Sequence, residues 1–581
     1  MASELTSTFP RGSFARLVAS IWVSTALATL ILAAAAPSLA NAALISVDNA
    51  TDIPHPFGCD LRQAIVSHNE KMTPFFSNCT PGDGNDIISI GVPHGIVDIG
   101  SPLPGINGTL KIVPAVPNAC SEIRQAAYMT VNFGATLTLQ GVGIVVNGAE
   151  PRSIIDNNGG TLNIVANGTC SATYSNVMGK ERKPDVGGIL FSRNNGITTI
   201  DGANFVRSSA NRGGLIYIES GTVSIIDSAN PQPSRFTDGI ANQGGGIYVN
   251  SGAVLKIASN NFTFDSNRAT AGNGGAIYSD FGTVSIKRGI QPVLANVAIT
   301  LNTAGNGSGG AIYVSGGRLN IDGIEIRNNS ASGRGGAIMA SNLPLLTPAV
   351  IVRSFFHHNS SNTNGGAIYS ARSAVDVSES TFAQDRAGQG GEGIYADAGS
   401  TLNVINSTFI GGTDPDGIIV LYGGTSNIVF STFFFSDLGE GLPTGAPAPN
   451  LFVSNSILRA VTCESNSVKD ETGNIQYQSG GCPAGIPRLN PQFDPALLAD
   501  NGGPTPTIAL QSTSPAIDRI IPADCVDQNN KPVAIDQRGF TRPFRTNCDT
   551  GAFEFGASGG SGVGGIPPGA LGHGSGHRPH P

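Results

Sequence analysis

The sequence predicts an all-β solenoid, a parallel β-helix of about eleven coils, on three observations: recurrent glycine pairs, a Phe-x-x-Asn signature inside each period, and short alternating strands between them. The pairs are Gly187-Gly188, Gly213-Gly214, Gly244-Gly245, Gly274-Gly275, Gly309-Gly310, Gly335-Gly336 and Gly365-Gly366, with a degenerate copy at Gly391-Glu392-Gly393. Counted from the first glycine, successive copies lie 26 to 35 residues apart. The second signature reads Phe264-x-x-Asn267, Ile299-x-x-Asn302, Ile326-x-x-Asn329, Phe356-x-x-Asn359 and Phe382-x-x-Asp385. The strands include Thr222-Val223-Ser224-Ile225, Thr283-Val284-Ser285-Ile286 and Leu402-Asn403-Val404. No repeat holds the run at 3.6-residue spacing that a helix needs. A propeller blade needs four antiparallel strands and about 40 residues or more, and this unit is shorter. In a parallel β-helix each strand instead pairs with its equivalent one turn away, about 4.8 Å along the axis. Ile, Val and Phe then form inward columns, Gly supplies turn conformations closed to side chains, and Asn or Asp tolerates the left-handed region and can ladder with its counterpart.

The organisation expected along the 581 residues follows from where this pattern starts and stops. Residues 1–42 read as a secretory signal: Arg11 and Arg16 precede an apolar run from Leu17 to Ala36, and Ala40-Asn41-Ala42 fits the cleavage site. The competing reading is a membrane anchor, since the run approaches the roughly 20 residues that span a bilayer. No later stretch is long and apolar enough to span. Residues 43–134 read as an N-terminal cap, with Leu61, Ala64 and Ile65 on one face of a short helix; residues 135–460 are the coils. Residues 461–555 form a Pro- and Cys-containing module, and 556–581 a Gly-, His- and Pro-rich flexible tail with His573, His577 and His580. A solenoid has two open ends with unpaired edges, which caps must cover.

Composition narrows the function classes. Charged residues make up 13% of the chain and hydrophobic ones 40%, which excludes intrinsic disorder. Lys and Arg number 33 against 41 Asp and Glu, a net charge of −8 without basic runs, so nucleic acid is not an expected partner. The eight cysteines of an exported chain imply disulfides. Sequence neighbours suggest Cys59/Cys79, Cys120/Cys170, Cys463/Cys482 and Cys525/Cys548, although other connectivities satisfy the same count.

The glycine and Phe-x-x-Asn signatures resemble the GGA(I/L/V) and FxxN repeats of polymorphic outer-membrane proteins. Cys59 to Ala64 is similar to the bacterial segment named for Cys-Ser-Leu-Arg-Glu-Ala, departing at Asp60 and Gln63. Asp500-Asn501-Gly502-Gly503-Pro504-Thr505, Asp536-Gln537-Arg538-Gly539-x-x-Arg542-Pro543 and Cys548-Asp549-x-Gly551-Ala552-Phe553-Glu554 are similar to choice-of-anchor Q proteins. The resemblance implies a right-handed, pectin-lyase-like β-helix on a secreted or surface-displayed bacterial protein, outer-membrane-associated or extracellular. It implies no agreed activity.

An adhesive or structural binding scaffold is the function expected, with a glycan or a host or cell-surface ligand as partner; the oligomeric state is left open. The rival is a polysaccharide-acting lyase or glycoside hydrolase, which needs carboxylates and an Arg or Lys converging on one face. Asp201, Asp227, Asp322 and Glu379 are expected to stack as one row, with Arg318 and Arg353 nearby, and polar turns are the plainer account of them. No catalytic residue and no resident metal site is assigned. Asp83-Gly84-Asn85-Asp86 offers oxygens to Ca2+, or simply makes a tight turn. His357-His358 is expected to place one ring inward and one outward. Leu343, Leu345 and Leu346, on an insertion at 341–349, are the expected contact loop, with a second insertion at 268–273.

Overall fold

A computed structural model describes residues 42–558, apart from 54–56, 76, 148–150, 178–182, 229–231, 290–295, 412–416, 423–424, 440–449 and 464–467. The signal-like segment up to residue 41 and the histidine-bearing tail from 559 lie outside the described residues.

The chain winds as a parallel β-solenoid. Among the described residues one sheet holds 16 strands in chain order and a second holds 31, all their pairings parallel. The 16 strands exceed the eleven coils counted from the repeats, because stacking begins at Ala43–Val47, well ahead of the first glycine pair, and continues to Val468–Asp470. In the region expected to act only as a cap, Ala43–Val47, Asn85–Ile90 and Thr109–Pro114 already pair in register. Strand alternation turns apolar residues inward: Ile286, Ile321, Ile351, Val377, Val404, Ile428 and Val453 occupy one register column and are buried. A second interior column is aromatic. Phe356, Phe382, Phe409 and Phe433 stack with centroids 4.7 to 4.9 Å apart, the rung spacing itself.

The two glycines of each pair answer different demands. Gly335 lies at φ +66°, where a side chain is strained. At Gly336 a Cβ would stand 2.1 Å from the carbonyl oxygen of Gly366 on the next rung. The asparagines of the Phe-x-x-Asn signature act through their side chains. The left-handed residue is the one before them, Ser266, Leu301, Asn328, His358 or Gln384. That turn aims the Asn side chain along the axis. Asn267, Asn302 and Asn329 each donate Nδ2–H to Oδ1 of the next rung's asparagine at 3.0 Å, and Asn359 donates to Asp385 at 2.9 Å. Each Oδ1 also accepts the preceding rung's backbone N–H.

Both ends are covered. The helix α1 (Leu61–Glu70) buries Leu61, Ala64 and Ile65 against the first rungs, and Asp60 and Gln63 form its capping box. Buried His68 ties it down, with Nδ1 2.6 Å from Asp86 and Nε2 2.5 Å from the Asn107 carbonyl. At the other end Ile486 enters the core behind the last strands. The disulfides join Cys59–Cys79, Cys120–Cys170, Cys463–Cys482 and Cys525–Cys548, each a pair of sequence neighbours.

Candidate binding cleft beside a docked module

After the last rung the chain turns back and lies along the side of the coil. The antiparallel pair Phe493–Ala499 and Thr507–Leu510 carries it toward earlier rungs. Thr381, Thr408 and Thr432 form an outward register column that the module covers. Gln537 donates Nε2–H to Thr381 at 2.7 Å and accepts from Thr408 at 2.6 Å; the Ala552 amide donates to Thr432. Arg542 reaches the coil at Asn406 Oδ1, 3.0 Å away, and lies 4.4 Å over the Phe430 ring.

The motif residues of the module are its interior. Arg538 donates from Nε and Nη2 to Asp536 and lies 3.7 Å over Phe553. Arg542 pairs with Glu554 at 3.0 Å, both buried. Asp549 accepts the amides of Asp518 and Phe555, yet burial first and the Glu554 charge second push its carboxyl up to about 7. Charged groups this deep persist because each finds a partner; removing one would orphan the other.

Between coil and module a half-open cleft of 420 Å³ remains. Its floor is made by outward residues of the strands Thr425–Val429 and Asn450–Ser454, chiefly Asn427 and Phe452; Glu471 forms one end. Its roof is the loop 523–530, held by the Cys525–Cys548 bridge and by Asn455, which donates Nδ2–H to the Asp524 carbonyl at 2.8 Å. Within the loop Asp527 accepts the amides of Asn529 and Lys531, which sets its turn. Residues of the cleft come from segments about seventy positions apart, so no local motif announces them. Phe452 alone is legible, as the outward member of Asn450-Leu451-Phe452-Val453.

The four acids expected as one row fall into two adjacent columns. Asp201 and Asp322 end their strands, whereas Asp227 and Glu379 lie one position later, and a strand's successive residues face opposite sides. Asp201 accepts the Ser228 amide of the next rung, and Asp227 accepts from Ser259 and Asn260, both at 2.5 Å. Asp322 is held bidentately by Arg353. Arg318 starts the strand that Asp322 ends, so it belongs to the opposite edge. Glu379 sits where the module's leading turn meets the coil, its carbonyl accepting from Thr505 at 3.0 Å. Burial pushes its carboxyl up to about 7; Arg353 opposes that, and Asp322 and Asp536 add to it.

The remaining candidates are also re-placed. Asp86 accepts the amides of Asp83 and Gly84 besides facing His68, so that segment is a tight turn. His357 and His358 lie together, Nδ1 to Nδ1 at 2.9 Å, with His357 Nε2 2.9 Å from Glu325. The left-handed conformation of His358 breaks the alternation that would have separated them. Leu343 is a core residue at 2% exposure, while Leu345 and Leu346 stand out at 58% and 96%. In the 268–273 insertion, Arg268–Ala269 is a short strand continuing a ladder. Far from the cleft, Tyr217, Tyr248, Tyr278 and Tyr313 stack outside the coil at 4.9 to 5.1 Å. Their ring faces are spent on one another and on Arg212, and Tyr217, Tyr248 and Tyr278 are buried in the stack.

Among known families, residues 261–280, 323–341 and 354–371 are similar to the Chlamydia polymorphic membrane protein (Chlamydia_PMP) repeat. These segments contain six elements of the ladders described above: Phe264 and Asn267, Gly274-Gly275, Ile326 and Asn329, Gly335-Gly336, Phe356 and Asn359, and Gly365-Gly366. No curated protein and no solved structure matches the chain.

Proposed function

We propose that this chain is an exported, surface-displayed β-solenoid that works by binding, an adhesin-like scaffold of the bacterial surface. The observation that carries the proposal is the coincidence of membrane-protein-type repeats with three rungs of the coil. Four disulfides suit an oxidising compartment outside the cytosol, and the apolar run from Leu17 to Ala36 followed by Ala40-Asn41-Ala42 reads as the export signal. The resemblance of the end segments to CSLREA-type and choice-of-anchor Q proteins supports the same placement. A stiff rod with low-charge sides carries grafted contact surfaces without needing a catalytic cleft. The test is protease shaving and antibody labelling of intact producing cells, paired with adherence of a deletion strain. Surface signal and reduced adherence are expected; recovery of the whole chain from the cytosol would defeat the proposal.

A further inference from the structure

We propose that the cleft between the coil and the loop 523–530 is a subsite for a neutral saccharide, a reading that rests on the binding role above and names its ligand class. Three features of the cleft point the same way. Among the described residues no lysine or arginine lines it, while Glu471, Asp524 and Asp527 do, so phosphate, sulfate and uronate ligands meet like charge there. The buried Oε1 of Gln528 and the buried Oδ1 of Asn455, both on cleft-lining residues, have no hydrogen-bond partner among the described residues, and the carboxylates of Glu471 and Asp524 are exposed beside them. A buried acceptor left without a donor destabilises the site, and a ligand hydroxyl would relieve it. A sugar presents such donors in adjacent pairs, matched to planar amides and carboxylates. The third feature is apolar. Phe452 projects from the floor, with Val429 and Val526 beside it, and an aromatic face suits the C–H face of a pyranose as it suits other apolar surfaces. At 420 Å³ the cleft lies within the size range of small-ligand pockets, and its open side lets a chain continue out.

The test is calorimetric titration of the purified full-length chain with oligomers of glucose, mannose and N-acetylglucosamine, with oligogalacturonate as the anionic control and calcium chloride alone as the cation control. One neutral series is expected to bind saturably and oligogalacturonate not to bind. Phe452→Ala and Gln528→Ala should each weaken binding at least tenfold, and Tyr313→Ala, on the distant tyrosine stack, should leave it unchanged. Should Phe452→Ala fail to fold, Glu471→Gln is the second variant, removing a charge at the cleft's end. The proposal is overturned if no neutral series binds the folded chain, if oligogalacturonate binds as well, if calcium alone titrates, or if the cleft variants bind like the parent. Surface shaving reads the other proposal separately: a displayed, adherent chain that binds no sugar sinks only this one, and a sugar-binding chain found in the cytosol sinks only the other.

Discussion

The coil between Asn261 and Ala371 and the module from 490 to 555 solve burial in opposite ways. In the coil every inward residue meets a near copy of itself one rung away, so apolar columns, stacked phenylalanines and an amide ladder satisfy one another by translation. The module has no repeat. It places Asp536, Arg538, Arg542, Asp549 and Glu554 in its interior, pairing Asp536 with Arg538 and Glu554 with Arg542 and holding Asp549 by backbone amides. The lesson is that repetition distributes stability among neighbours, whereas the module concentrates it in a few mutually dependent charges.

The largest expected effect separates the two regions directly. Arg542→Ala leaves Glu554 buried without its partner, and breaking such a pair costs about 3–5 kcal/mol. Phe382→Ala opens a cavity in the aromatic column at a similar cost, about 3–5 kcal/mol. Hydrogen exchange should show loss of protection confined to 490–555 in the first variant and centred on the rungs around Phe382 in the second. Uniform loss across both regions in either variant would break the comparison.

A smaller effect belongs to the end of the amide ladder. Asp385 occupies the place of a fifth asparagine; its Oδ1 accepts from Asn359, its Oδ2 has no partner among the described residues, and burial holds its carboxyl well above the usual range. A carboxyl raised in the folded state favours folding below its ordinary value near 3.8, and that contribution is lost as pH rises through the native value. Asp385→Asn should therefore be more stable than the parent at neutral pH, by a margin that shrinks toward pH 4, as read from denaturant melts. The same margin at both pH values would show that the acid is ionised in place.

The smallest effect sharpens the seam between the regions. Glu379 is raised from 4.5 to about 7. Its contribution to docking is complete below about pH 4.5 and fades as pH climbs through 7. Proteolysis of the module should accelerate across that window in the parent and stay level in Glu379→Gln. A level profile in the parent would remove Glu379 from the seam.

Legibility differed between the regions for physical reasons. Gly335-Gly336, Phe382 and Asn329 were readable because a stacked rung repeats its constraints, and a repeated constraint leaves a period in the chain. The module's motifs were visible as Asp536-Gln537-Arg538 and Arg542, but their role as an interior was not: a buried ion pair and an exposed one use the same letters. The acids showed a similar limit. Asp227 and Asp322 look equivalent in the sequence, and a one-residue offset puts them in different columns.

By itself, then, the chain's order of residues determined the winding, the inward columns, the glycine turns and the helical lid over the first rungs, since each depends on contacts within about thirty positions. Only the tertiary structure decided that the C-terminal segment doubles back over Thr381, Thr408 and Thr432, that Glu379 is enclosed by it, and that Phe452 shares a cleft with Gln528. Those meetings join residues from about seventy to more than one hundred and fifty positions apart. Nothing in a local pattern encodes them, because docking one surface on another is chosen by shape and hydrogen-bond complementarity that exist only once both have folded.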